Sequence, residues 1–71
     1  MALPIERLER IKEDLAEAEK SIKSIEEVID DLRASGIDAS KQEELLRTAK
    51  DLYRQSKMFY DLEMKRLEAV D

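Results

Sequence analysis

Cysteine is missing from this 71-residue chain, and with it any disulfide framework or thiolate site. Histidine is missing too, which removes the commonest general base and the usual nitrogen ligand of a metal centre. Tryptophan and asparagine do not occur, glycine and proline occur once each, and aromatics supply 4% of the residues. With a single Gly there is no glycine-rich loop to cradle phosphate, and the Asp-rich twelve-residue loop of an EF-hand is likewise lacking. No apolar run approaches the ~18 residues of a membrane span. Met1-Ala2-Leu3-Pro4-Ile5-Glu6-Arg7 offers no basic segment followed by an apolar one, so no secretory signal is expected and the cytoplasm is the expected compartment. These absences together point away from an enzyme and predict no catalytic residue, no cofactor and no metal.

What is present is the material of long helices. Charged residues make up 44% of the chain and hydrophobic ones 42%, with Glu, Lys, Arg, Leu, Ile and Ala abundant. Regular spacing of so much apolar surface argues against disorder. Thirteen basic and 18 acidic residues leave a net charge of −5, which disfavours a general nucleic-acid or anionic-membrane binder. The acid is concentrated in the first half. Residues 1–35 hold 10 acidic and 6 basic residues, residues 39–71 hold 7 of each, and Asp38 supplies the rest.

A first helix is expected over about residues 4–35, opened by Pro4 at its first position with Glu6 and Glu9 near the positive end of the dipole. Its apolar residues are Leu8, Ile11, Leu15, Ala18, Ile22, Ile25, Ile29 and Leu32, an unbroken 3-4 alternation flanked by charge. That is a narrow seam of coiled-coil type. Ala34-Ser35-Gly36-Ile37 reads as the stop, with Gly36 in the left-handed C′ position of a Schellman ending and Ile37 placed to touch Leu32. A turn at 36–39 follows, and Asp38 or Ser40 can cap the second helix, Ser40-Lys41-Gln42-Glu43 matching a capping box. So short a turn requires antiparallel neighbours.

The second helix, about residues 40–70, carries a broader pattern. Leu45, Ala49, Leu52, Ser56 and Phe59 form one stripe, and Leu46, Tyr53, Tyr60 and Leu67 form a second beside it. One partner helix cannot cover both. The expected fold is therefore all-α: residues 1–71 as a single antiparallel two-helix hairpin, coiled-coil-like, that dimerises into a four-helix bundle. Pairing about the turn matches residues whose numbers sum to about 75, setting Ala18 across from Ser56 and Ile25 across from Ala49. The small residues predict a thin waist able to admit a large side chain of a second copy.

The interface candidates are Ala49, Tyr53, Ser56, Met58, Phe59, Tyr60, Leu62, Met64 and Leu67. Met58, Phe59, Leu62 and Met64 make the C-terminal part of the second helix apolar most of the way round, which suits self-association or another protein. Two charged features compete for attention. Arg47, Lys50, Arg54 and Lys57 form a basic ridge beside Tyr53 that could take RNA, although a solvated face balancing the first helix fits the overall charge better. Glu26, Glu27, Asp30 and Asp31 crowd the C-terminal end of the first helix, where the dipole disfavours anions. Pairing with Lys41, Arg47 and Lys50 accounts for them more simply than a cation site or a docking surface for a basic partner. Glu63 and Arg66 interrupt the first stripe and are expected at the rim, the core having drifted to Tyr60, Met64 and Leu67. The reading favoured by the sequence is a self-associating protein–protein interaction or assembly module, an adaptor or regulator, with RNA binding by a dimeric bundle as its rival.

Overall fold

The 3-4 alternation of the first helix becomes α1, Ile5–Ala34, and the broader pattern becomes α2, Ser40–Ala69, in a computed structural model that describes residues 4–69. The two helices lie antiparallel against each other as a hairpin. The molecule measures 56 × 15 × 12 Å, with a radius of gyration of 16.3 Å where a compact chain of this length would have about 11 Å. It is a rod two helices wide. Residues 1–3 and 70–71, the last of the expected second helix among them, lie outside the described residues.

Pro4 precedes the first turn instead of occupying it. Its ψ of 145° is extended, yet its carbonyl accepts from the N–H groups of Arg7 (3.0 Å) and Leu8 (3.2 Å), which makes it the N-cap. The stop forms as the residues dictate. Gly36 has φ +73°, the Ile37 N–H donates to the Leu32 carbonyl at 2.8 Å, and the Gly36 N–H donates to Arg33 at 3.0 Å. This is the paired hydrogen-bond pattern of the Schellman motif, and the Ser35 hydroxyl adds a bond to the Asp31 carbonyl at 2.9 Å. Ile37, placed next to Leu32 by this ending, is 55% exposed.

The second helix is capped differently from the S-x-x-E reading. Ser40 already lies inside α2, and the Ala39 carbonyl accepts from the Glu43 N–H at 2.9 Å. Ala39 thus holds the N-cap position, and Asp38 before it supplies the side chain that meets the helix end, its Oδ1 accepting from the Ser40 hydroxyl at 2.6 Å and the Ser40 N–H at 3.3 Å. Because Ser40 is already helical and the Glu43 N–H is taken by the Ala39 carbonyl, no capping box forms. Glu43 reaches across the hairpin to Arg33 instead.

Every one of the eight seam residues of α1 is buried or half-buried, while the rest of α1 is exposed. Leu8 (2%) and Ile29 (3%) are the most enclosed. From α2 the covered residues are Leu46, Ala49, Tyr53, Tyr60, Glu63, Met64 and Leu67, joined near the turn by Gln42 and Glu43. The second stripe therefore faces α1. Ala39, buried in the turn, closes that end of the hairpin with a methyl group. Glu63 departs from expectation: instead of lying at the rim it is buried, 7% exposed, about one turn from Tyr60 and Leu67. The core did drift onto Tyr60, Met64 and Leu67, and Glu63, about 60° round the helix from Tyr60, is covered at the edge of that face. Arg66 stays outside and approaches Glu63 to 3.6 Å.

Candidate interaction surface

With α2 rotated to present its tyrosine stripe to α1, the other stripe is left in solvent. Leu45, Leu52 and Phe59 recur every seven residues, a spacing that drifts only about 20° per step and so keeps them on one line. Met58 and Leu62 widen the line at its C-terminal end. All five are large and apolar, and their exposure runs from 47% at Phe59 to 62% at Met58. On α1 the large apolar residues left in water are Ile5 and Val28, near opposite ends of the helix. The unpartnered surface among the described residues thus belongs to α2.

Beside this row runs an open groove of about 460 Å³ between the helices, lined by Ile11, Leu15, Ala18, Ala49, Leu52 and Ser56, with Ser21 on its α1 wall. Ala18, Ser21, Ala49 and Ser56 are too short to fill the space. The thin waist expected from pairing Ala18 with Ser56 is this groove. The observed cross-helix pairs Arg33–Glu43 and Glu26–Lys50 have numbers summing to 76, and Glu19–Tyr53 sums to 72, bracketing the expected register.

The interface candidates drawn from the sequence divide between the two faces. Tyr53, Tyr60, Met64, Leu67 and Ala49 are half-buried toward α1, whereas Met58, Phe59 and Leu62 are exposed and Ser56 lines the groove. Leu45 and Leu52 stand outside that set yet form the middle and upper part of the exposed row. Their signal was the seven-residue interval leading to Phe59.

The opposite flank is polar and internally matched. The Tyr53 hydroxyl donates to the Glu19 carboxylate. That bond, with some burial and the charges of Glu19 and Asp61, raises the phenol above its ordinary 10.0, because ionising it would place a second anion beside the first. Lys50 reaches Glu26 at 3.6 Å, Arg54 reaches Asp51 at 3.0 Å, and Lys57 reaches Asp61 at 3.5 Å. A shallow depression of about 310 Å³ lies among Lys50, Tyr53, Arg54 and Lys57. Three of the four ridge cations are thus already paired, and only Arg47 stands outside the ion pairs among the described residues. That weakens the ridge as a track for a phosphate backbone, whose affinity rests on unneutralised Lys and Arg.

The acidic cluster is only partly balanced as expected. Glu26 pairs with Lys50, but Glu27, Asp30 and Asp31 are not joined to Lys41 or Arg47. The cation that reaches across the closed end is Arg33, to Glu43 at 2.5 Å. Among the described residues no three carboxylates are grouped closely enough to hold a metal ion. Nor is any helix long and apolar enough to cross a membrane among those residues. No family model, curated protein or solved structure matches the chain, so the surface itself must carry the functional argument.

Proposed function

We propose that this chain is a small acidic assembly module, a helical hairpin that associates with its own kind into a four-helix bundle. In this reading it acts by protein–protein contact and performs no chemistry of its own. The exposed row Leu45, Leu52, Phe59, with Met58 and Leu62, carries the proposal. Leu45, Leu52 and Phe59 held about half in water along one line, with Leu62 and Met58 on the adjoining side, are costly, since fully burying each is worth roughly 1.5–3 kcal/mol.

The total surface supports the same reading. The chain exposes 5955 Å², whereas a compact monomer of 8.3 kDa exposes about 4,600 Å². The excess of about 1,400 Å² is more than the ~800 Å² that each partner loses in an interface of ordinary size. Stacking one hairpin on another through this face covers the row and closes the groove.

Sedimentation equilibrium combined with circular dichroism tests this. The wild type should sediment at twice 8.3 kDa and dissociate on dilution with loss of helicity. Leu52→Glu should be monomeric and less helical at concentrations where the wild type is paired. A wild-type chain that remains a fully helical monomer at high concentration would overturn self-association.

A further inference from the structure

Resting on that self-association, we infer that the partner is a second copy seated by its own α2, running antiparallel, with the twofold axis close to Leu52. Leu52 of each copy then enters the groove of the other. The exposed large apolar residues cluster on α2, so a symmetric interface that covers them in both copies places α2 at the axis. The row is also self-complementary when reversed. Leu45 and Phe59 lie seven residues to either side of Leu52, so an antiparallel copy sets the leucine of one chain against the phenylalanine of the other at both ends.

The groove coincides with the axis. Ala49 and Ser56 flank Leu52 by about one turn on either side, and Ala18 and Ser21 form the facing wall. A twofold through Leu52 therefore delivers the partner's Leu52 to this groove, between side chains too short to close it. Charge selects the same direction. Along the flank of the row, steps of seven give Glu44, Asp51, Met58 and Lys65, acidic at the start of α2 and basic toward its end, all exposed. An antiparallel copy turns the Glu44 end of one flank toward the Lys65 end of the other. A parallel copy would instead set this flank against the opposite flank of its partner, without that pairing of unlike ends, and would align the helix dipoles unfavourably.

The chain has no cysteine, so a single introduced one takes a spin label without background. Labels at Asp51→Cys should lie under about 20 Å apart in the dimer, because helices pack 8–10 Å apart and this position is next to the axis. Labels at Lys65→Cys should lie about 35–40 Å apart, from 1.5 Å of rise per residue on each side of the axis. Ser21→Arg removes nothing from the apolar row but fills the groove with charge. It should weaken the dimer by about tenfold or more while a dilute sample keeps its wild-type dichroism. A dimer with both label pairs short, or with the Asp51 pair long, overturns this arrangement and leaves self-association standing. An undiminished Ser21→Arg dimer overturns the seating of Leu52 in the groove. A monomer at every concentration overturns self-association and the arrangement together.

Discussion

The two helices have the same length, 30 residues each, and spend their apolar residues differently. In α1 the seam is one residue row wide, and the hairpin consumes nearly all of it. In α2 there is twice the apolar face, and the hairpin consumes half. An antiparallel pair can bury only one stripe from each member, so whichever helix carries two is left with one to present. The lesson is that the interacting helix can be identified by surplus. α1 reads as the structural partner and α2 as the one that meets the outside.

Truncating the seam should break that division most strongly. Ile29, 3% exposed, lies where nothing can relax into solvent, so Ile29→Ala should cost about 2–4 kcal/mol at any protein concentration, read from urea unfolding followed by dichroism. Leu52→Ala sharpens the contrast from the other side. Its cost, roughly 1–2 kcal/mol, should be seen in concentrated samples and shrink toward zero on dilution, since its partner atoms belong to another molecule. Equal concentration dependence in the two variants would erase the distinction between the helices.

The turn holds the helices in their comparison and offers a smaller effect. Gly36 has φ +73° with no atom near where a Cβ would stand, so a substitution there strains the backbone alone. Gly36→Val should lower stability by at least about 1 kcal/mol in thermal unfolding, and Gly36→Asn by less. An unchanged melting temperature in the valine variant would contradict the left-handed assignment.

Two pH effects follow, each expected to be small because the groups are exposed. Asp38 is held below its ordinary 3.8, first by the Ser40 hydroxyl and then by the Ser40 N–H, both of which favour the carboxylate. A depressed carboxyl contributes stability above pH 3.8 that is lost as the pH falls through the folded-state value. Asp38→Ala should thus melt lower than wild type near neutrality, with the difference closing below pH 3.8. Tyr53 is raised above 10.0, so its contribution is present below that pH and is lost as the pH climbs through the raised value. Tyr53→Phe should flatten that alkaline loss, and a spectrophotometric titration should show one of the two tyrosines ionising late.

Much of this architecture is legible in residue order because helical rules are local. The seam from Leu8 to Leu32 needs only 3.6-residue periodicity, and all eight members are covered. Gly36 followed by Ile37 needs only the chemistry of a helix end. Asp38 was legible as a cap, but that it would also take up the Ser40 hydroxyl depends on where the helix starts, a matter of one residue. Glu63 shows a different gap. Its charge and its place in line with the first stripe both argue for the rim, and only the rotation of α2 along its length brings it under cover.

That rotation marks the boundary between the two kinds of knowledge. The sequence by itself determines two helices, their turn, their antiparallel register and the presence of two apolar stripes on α2, because each follows from spacing along one chain. It does not determine which stripe turns toward α1. Only the tertiary structure decides that, since the choice depends on atoms more than twenty residues apart in sequence: Tyr53 bonding Glu19 and Lys50 meeting Glu26 on the polar flank. Those pairs form in the rotation that covers Tyr53 and Tyr60 and leaves Leu45, Leu52 and Phe59 outside. Periodicity says which residues share a face, and packing against a second helix says where that face points.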